Sequence, residues 1–276
     1  MPVELAVVPV AGKGTRMQPL TRAVPKELLP VGDKPVVDYV AEELERAGIR
    51  HMLLVTAADK TSIENHFDVS GKTDRVTVSA VRQPEALGLG HAILCSQTVV
   101  DGRPFVVALG DAILGCRGQA NIVQRMITVF EREAADVVIA LEKVPAEHVH
   151  RYGIADVCHE QTDFLELQGI VEKPARDNAP SFFAVAARYV FRAEIFEHLA
   201  HIAPGQGGEI QLTDAIARWI DQGGRVLGVA TTESERRYDI GNMKSYFEAF
   251  ADFVSDHPDY KDSFNEFLRS SPSVHS

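Results

Sequence analysis

The sequence predicts an α/β fold, a three-layer sandwich on a mostly parallel, mixed central sheet. Three observations predict it. Short apolar runs alternate with amphipathic stretches through the first half of the chain, the pattern of successive β-α-β units. The first run, with Val7, Val8 and Val10, opens into a loop where Gly12 and Gly14 mark sharp turns or close approach to a ligand. A fully apolar run over 105–109 ends on Gly110-Asp111, putting a carboxylate at the carboxyl end of a buried strand, where open α/β sheets hold their chemistry.

The elements follow in order. After the opening loop, Asp33 is expected to cap a helix with Pro35 in its first turn, whose stripe is Val36, Val37, Val40 and Leu44 and whose stop is Gly48. Residues 51–56 read as a strand, 61–66 as a short helix and 76–81 as a third strand. Gly88 and Gly90 form a turn entering a helix with Ala92, Ile93, Leu94 and Val99. Strand 105–109, helix 122–133 and strand 136–141 continue the alternation. Beyond them it loosens, and 154–157, 169–171 and 182–191 read as strands of mixed direction with little helix between. Helices over 193–202 and 210–221 flank the glycine-rich loop 205–208, and 225–230 is the last expected strand, with a turn at 238–242. Tyr246, Phe247, Phe250 and Phe253 make the stripe of a helix over 242–255, read as core or subunit contact, and a further helix is expected over 260–268.

Composition limits the function. The chain has 276 residues, 45% of them hydrophobic, enough for one substantial core, so a single domain over 1–269 is expected, with a polar tail at 270–276. The formal net charge of -11 disfavours nucleic acid and anionic membrane as partners, because both need clustered cations. No apolar stretch is long enough to span a bilayer, and residues 1–4 lead straight into the first strand without a signal peptide, so a cytoplasmic protein is expected. Cys95, Cys116 and Cys158 are far apart and odd in number, which fits packing residues in a reducing compartment. His148 and His150 are spaced as a metal pair could be, but no Cys, Asp or further His cluster accompanies them, and they read as a solvated loop.

The loop over 7–30 carries the chemistry. Backbone amides aimed at one point form an anion-binding nest, and Arg16 and Lys26 supply the charge to hold a polyphosphate. Two familiar phosphate loops are excluded. The dinucleotide fingerprint needs a third small residue to seat a helix on the strand, but Met17 stands there, followed by Pro19 and Pro25, which disfavours an NAD-dependent oxidoreductase. The ATPase loop is absent, since no Gly-Lys pair precedes Ser or Thr at its spacing.

The run Ala11-Gly12-Lys13-Gly14-Thr15-Arg16-Met17, followed by Pro25-Lys26-Glu27-Leu28-Leu29-Pro30, resembles the signature of sugar-1-phosphate nucleotidylyltransferases. Within them it is similar to the bacterial UTP–glucose-1-phosphate uridylyltransferase (UDP-glucose pyrophosphorylase) branch. Further matches are Ile63-Glu64-Asn65-His66-Phe67-Asp68, Arg82-Gln83, Gly88-Leu89-Gly90-His91-Ala92, Val171-Glu172-Lys173-Pro174, Glu209-Ile210-Gln211-Leu212-Thr213-Asp214-Ala215 and Asp239-Ile240-Gly241-Asn242. The resemblance implies the Rossmann-like sandwich of nucleotide-diphospho-sugar transferases, with a nucleotide-binding half at about 1–144, a sugar-binding half at about 145–242 and C-terminal helices at about 243–269.

The implied reaction is Mg²⁺-dependent formation of UDP-glucose and pyrophosphate from UTP and glucose 1-phosphate, without a covalent enzyme intermediate. Matching motif positions assign Asp111 and Asp239 to the metal, Arg16 to the triphosphate and Lys26 to the reacting phosphates, with Arg16, Lys26 and Asp111 as the catalytic set. Ala11, Gly12, Gly14, Thr15 and Glu27 join the substrate-binding loop. Glu172 is expected to accept sugar hydroxyls, Lys173 to bind the sugar phosphate, and Gly153 to lie close to the sugar. Gln83, whose amide both donates and accepts, suits the uracil edge, and Gly88 completes base recognition. A homo-oligomer, dimer or tetramer, is implied.

The sequence departs from that branch in three places. The segment between 63–67 and 76–81 is shorter than usual, Gly110 stands where Pro usually precedes the metal aspartate, and Gly115 replaces an acidic residue. Gly110-Asp111 is like the wider family, including thymidylyltransferases. Thymidylyl transfer to the same sugar phosphate is therefore an alternative, and a non-catalytic nucleotide-sugar sensor is a rival that predicts the loss of a cation or metal carboxylate. Arg16, Lys26, Asp111, Lys173 and Asp239 are all present.

Overall fold

A computed structural model describes residues 1–70, 76–115 and 120–270. Cys116 and most of the tail expected over 270–276 lie outside the described residues, whereas Ser270 ends a helix. The strands are β1 (Leu5–Pro9), β2 (Pro30–Val31), β3 (Lys34–Pro35), β4 (His51–Thr56), β5 (Thr77–Arg82), β6 (Phe105–Ala108), β7 (Ala112–Leu114), β8 (Val137–Lys143), β9 (Gly153–Glu160), β10 (Leu165–Glu172), β11 (Phe183–Phe191), β12 (Val226–Ala230) and β13 (Arg237–Asp239). The helices are α1 (Val36–Arg46), α2 (Thr61–Ser70), α3 (Gly88–Leu94), α4 (Gln97–Val100), α5 (Ile122–Arg132), α6 (Ile195–Ala200), α7 (Leu212–Asp221), α8 (Met243–Ser255) and α9 (Lys261–Ser270).

Nine strands form one sheet in the order β5-β4-β1-β6-β11-β8-β12-β10-β9. β5, β4, β1 and β6 are parallel neighbours, β8 and β12 are parallel to each other, β11 is antiparallel between β6 and β8, and the β10–β9 pair is antiparallel beyond β12. This is the expected mixed, mostly parallel sheet. Alternate residues of each strand go to opposite faces. Ala6, Val8, Leu54, Val106 and Val138 pack with α1, α2 and α5 on one face, and Leu5, Val7, Leu53, Phe105 and Val137 pack with α3, α6 and α7 on the other. Each large side chain buried this way contributes about 1.5–3 kcal/mol, so the two apolar layers dominate the fold's stability. No helix among the described residues is long and apolar enough to cross a membrane.

Four expectations change. The helix expected after a turn at Gly88 and Gly90 starts at Gly88 itself and is split into α3 and α4. Asp33 does not cap α1: Lys34–Pro35 pairs antiparallel with Pro30–Val31 around Gly32, and Pro35, extended at ψ 148, holds the N-cap position. The Asp33 carboxylate instead accepts from the Tyr39 hydroxyl at 3.3 Å. The turn expected at 238–242 begins inside a strand, because Arg237–Asp239 pairs with Ala112–Leu114. Three residues are too few to show a strand period in sequence. The helix expected over 193–202 is confined to Ile195–Ala200.

Candidate active site

The parallel strands β1, β4, β5 and β6 all deliver their carboxyl ends to one edge, and the loops leaving them converge there. Gly110 lies directly on β1: its N–H is 3.4 Å from the Pro9 carbonyl, and a Cβ there would meet Val10 Cγ1 at 2.5 Å. Packing against Val10 thus accounts for glycine before Asp111. Gly115 has φ 73 and its N–H donates to the Arg236 carbonyl at 2.9 Å, so an acidic side chain would be strained there.

The loop after β1 is held in shape by three 3₁₀ turns, Thr15–Met17, Leu20–Arg22 and Lys26–Leu28. Gly14 takes the left-handed conformation, and the Thr21 hydroxyl donates to its carbonyl at 2.8 Å. Met17, which broke the dinucleotide pattern, is fully buried beside Ile113, Tyr238 and Ile240 and anchors the loop.

The loop walls a cavity of about 540 Å³ lined by Ala11, Gly12, Gly14, Thr15, Arg16, Lys26, Glu27, Gln83, Gly88 and Asp111. A second cavity of about 270 Å³ is lined by Gly153, Glu172, Lys173 and Asp239, and it shares Arg16, Leu89, Leu109 and Asp111 with the first. All the residues assigned from sequence to substrate, catalysis or metal therefore line one divided cleft, whose two chambers meet at Arg16 and Asp111.

The charges at that junction are paired in a defined order. Lys26 Nζ lies 2.5 Å from Asp111 Oδ2. Burial works against both charged forms, but the attraction and hydrogen bond between them outweigh it, leaving Asp111 below the usual carboxylate range and Lys26 above the usual amine range. Glu27 lines the cavity floor yet is 1% exposed, and its carboxylate is taken by Lys60 at 2.9 Å. Lys60 also donates to the Val10 carbonyl at 2.7 Å. Burial pushes the Glu27 carboxyl up despite the Lys60 and Lys26 charges. Glu27, expected to touch substrate, thus has its carboxylate engaged by Lys60 at the cavity floor.

Asp239 arrives from far along the chain. Its rung opposite Ala112 in the β13–β7 pair, with Ile240 N–H donating to the Asp111 carbonyl at 2.9 Å, brings it beside Asp111. Burial and the Asp111 charge push the Asp239 carboxyl up, partly offset by Arg237, Arg16 and Lys26. Two hard oxygen donors side by side, Asp111 paired with Lys26 and Asp239 penalised by burial and by Asp111, fit a small divalent cation that keeps its remaining ligands as water or phosphate. Among the described residues no group of three or more His, Cys, Asp or Glu is placed to hold a metal, and His148 and His150 lie on the 3₁₀ turn Ala146–Arg151.

In the smaller chamber, Thr213 Oγ1 donates to Glu172 Oε2 at 3.0 Å, and Lys173 Nζ pairs with Glu172 Oε1 at 3.0 Å. A Cβ on Gly153 would lie 2.9 Å from Thr213 Cγ2 and 3.3 Å from Glu172 Oε2, so glycine keeps this wall open. Lys173 has φ 46, a strained backbone for a non-glycine residue, and its N–H donates to the Tyr152 carbonyl at 3.0 Å. At the far end of the larger chamber, Gln83 is 8% exposed and its Nε2 donates to the Gly88 carbonyl at 3.1 Å. Gly88, at φ 90, abuts Glu209 and Ile210 so closely that a Cβ would meet Glu209 Cβ at 2.7 Å.

Sequence reasoning missed the supporting residues. Lys60 carries no motif, and only its place after the carboxyl end of β4 could have pointed to it. Arg237, whose guanidinium lies 4.1 Å over the Tyr152 ring and pairs with Glu142 at 3.3 Å, is next to a matched motif but outside it. Arg188 and Glu43, 0% and 2% exposed and 2.6 Å apart, sit behind the junction and are 145 residues apart in sequence.

A model of the nucleotidyl transferase family matches residues 5–256. A UTP–glucose-1-phosphate uridylyltransferase of Bacillus subtilis is 35% identical over 286 residues, covering 96% of this chain and 96% of that protein. A solved UTP-bound UGPase from Acinetobacter baumannii superposes with a TM-score of 0.87 at 35% identity, covering 97% of this chain and 99% of the other. A UDP-glucose pyrophosphorylase complexed with UDP-glucose gives 0.84 at 32% identity over 90% of this chain and 97% of the other. With the family model matched over residues 5–256 and relatives 35% identical over nearly its whole length, the chain belongs to the nucleotidyl transferase family.

Proposed function

We propose that the chain forms UDP-glucose and pyrophosphate from UTP and glucose 1-phosphate, with Mg²⁺ held by Asp111 and Asp239. The observation that carries this reading is the meeting of the two chambers at Arg16 and Asp111, one ending in a base-reading amide and the other in a carboxylate suited to sugar hydroxyls. Full-length similarity to a uridylyltransferase and to a UTP-bound structure supports the choice of nucleotide.

In this reading a phosphate oxygen of glucose 1-phosphate attacks the α-phosphorus of UTP. A new P–O bond forms there, the bond to the bridging oxygen breaks, and pyrophosphate leaves with those electrons. Charge accumulates on the non-bridging oxygens, so the protein's work is placement and charge stabilisation. Backbone amides of Ala11, Gly12, Gly14 and Thr15 cradle the triphosphate with Arg16, and Lys26 stabilises the reacting phosphates. Gln83 and Gly88 hold the base, Glu172 and the open wall at Gly153 take the sugar, and Lys173 takes its phosphate. Mg²⁺ held by Asp111 and Asp239 would supply positive charge to neutralise that of the phosphates.

The rest of the proposal concerns organisation. One domain over 1–269 divides into a nucleotide half at about 1–144, a sugar half at about 145–242 and C-terminal helices. A homo-oligomer is supported by Phe247 and Phe267, 59% and 62% exposed on α8 and α9. A cytoplasmic location is supported by the free thiols of Cys95 and Cys158.

Pyrophosphate release measured with UTP, dUTP, dTTP, CTP, ATP and GTP against glucose 1-phosphate tests the reading. UTP should give the highest kcat/KM, and dTTP should be a detectable, poorer substrate, because it lacks the 2′-hydroxyl and adds a methyl. A higher kcat/KM for dTTP makes the chain a thymidylyltransferase, and no turnover with any triphosphate in Mg²⁺ makes it a sensor.

A further inference from the structure

The base-reading end of the larger chamber contains a histidine that the roles above do not use. His91, on α3, places its ring Nδ1 3.1 Å from Gln83 Nε2 and 3.1 Å from the Glu85 carbonyl. Gln83 Nε2 also lies 3.1 Å from the Gly88 carbonyl, which can only accept, so the nitrogen end of the amide must face Gly88. With the imidazole proton on Nε2, the two amide hydrogens go to Gly88 and to His91 Nδ1. With the proton on Nδ1, the ring would donate to Glu85 instead and release the amide, so the two Nδ1 contacts are alternatives and only one of them holds Gln83.

The held orientation has a chemical consequence. With the imidazole proton on Nε2, both hydrogens are engaged inside the protein, and among the described residues no hydrogen bond takes Oε1. The amide therefore offers an incoming base an acceptor. Uracil carries a hydrogen on N3, whereas cytosine has a bare lone pair there and an amino group on the neighbouring carbon. An acceptor facing N3 takes uracil and repels cytosine, and an amide turned by 180° reverses that preference. One bond to Gly88 resists the turn weakly, and a second bond to His91 makes the turn break two.

We propose that His91 is a specificity-determining positioning residue, which locks the Gln83 amide in the orientation that accepts uracil and refuses cytosine. The proposal rests on the uridylyl reading above and adds to it the residue that sets base discrimination.

The test compares UTP and CTP with glucose 1-phosphate and Mg²⁺ on the full chain. His91→Phe keeps a ring of similar size and removes the acceptor. The ratio of kcat/KM for UTP to that for CTP should fall roughly three- to tenfold, the worth of one uncharged hydrogen bond, through a higher KM for UTP. His91→Gln, which can present an acceptor oxygen, should restore most of the ratio. If His91→Phe fails to fold, His91→Leu carries the same expectation. An unmoved ratio, or a His91→Gln variant as unselective as His91→Phe, overturns the role of His91 while UTP preference in the unmodified chain stands. An unmodified chain that does not prefer UTP overturns the uridylyl reading and this proposal together.

Discussion

Asp239 lies in the field of Asp111, carried there by its rung opposite Ala112, and the two acids are pushed in opposite directions. Burial raises both, but Lys26 outweighs it at Asp111, while the Asp111 charge adds to it at Asp239. Asp111 therefore contributes stability above its unfolded pKa that is lost as pH falls through the depressed folded value. Asp239 does the reverse: its ionised form is penalised in the fold, and the penalty is relieved as pH falls through the raised value.

Asn substitutions should separate these effects. Both Asp111→Asn and Asp239→Asn are expected to lower turnover at limiting Mg²⁺ by on the order of 10²-fold or more, since each removes a charge that holds the cation. Their melting temperatures at pH 7 should diverge. Asp239→Asn removes a half-buried charge that burial and Asp111 penalise and should melt at or above the parent. Asp111→Asn strips Lys26 of its partner and should lose about 1–3 kcal/mol, less whatever relief Asp239 gains. Thermal melts and Mg²⁺ titrations check both arms, and equal destabilisation by the two would contradict the charge order described.

Much of this site was readable from the chain because its residues sit in short motifs at strand ends. Arg16, Lys26 and Asp111 follow apolar runs whose β character is plain, and Gly12 and Gly14 mark the turn. What could not be read was the support. Lys60, Arg188, Glu43 and Arg237 act through contacts fixed only by tertiary packing, and a buried ion pair leaves no periodic trace. The three-residue strand carrying Asp239 was hidden because its pairing, not its composition, defines it. Gly110 and Gly115, which looked like pointers to base choice, are answered locally by Val10 and by a left-handed backbone.

Lys60 offers the sharpest test of support beneath the phosphate loop. Lys60→Met should destabilise the chain by about 3–5 kcal/mol, because it leaves the Glu27 carboxylate buried and unpaired. Glu27→Gln should restore most of the loss when combined with it. In the single variant Glu27 keeps its raised pKa without the Lys60 charge that lowered it, so its destabilisation should ease as pH falls. A double variant no more stable than Lys60→Met would show that the pair does not carry the coupling.

Gly153 and Thr213 make a steric pair at the sugar chamber. Gly153→Ala adds a methyl 2.9 Å from Thr213 Cγ2 and 3.3 Å from Glu172 Oε2, so it should raise KM for glucose 1-phosphate while leaving KM for UTP nearly unchanged. Thr213→Ser deletes the methyl and keeps the hydroxyl that donates to Glu172, so adding it to Gly153→Ala should recover much of the sugar affinity. Steady-state kinetics with each substrate varied in turn decide it. A parallel rise in both KM values would place the effect in the fold, not the chamber.

Arg188 ties the sheet to the junction from behind. Its guanidinium bonds Glu43 Oε2 through Nε at 3.1 Å and through Nη2 at 2.6 Å, and Nη2 also reaches the Ala112 carbonyl at 2.9 Å. Nη1 donates to the Ala187 carbonyl at 3.0 Å, at a residue with φ 61 where the β11 ladder shifts register. One planar group thus fixes the backbone immediately after Asp111, the irregular point of β11 and helix α1. A lysine has the charge but one nitrogen, which cannot span these acceptors. Arg188→Lys should therefore cost about 3 kcal/mol or more, since carbonyls and part of the Glu43 carboxylate are left buried without donors. Burial already pushes the Glu43 carboxyl up, and Arg188 opposes this most strongly, with Arg46 adding to it. In Arg188→Met, Glu43 should bind a proton on folding, so the loss measured at pH 5 should be smaller than at pH 8. The kinetic consequence should fall on kcat more than on either KM, because the shifted element is β7, which begins immediately after Asp111 and pairs with the strand that carries Asp239, not the walls that bind base or sugar. Denaturant unfolding at the two pH values, with kinetics under conditions where the variants remain folded, tests both statements. An Arg188→Met loss that does not change with pH would remove Glu43 from this account.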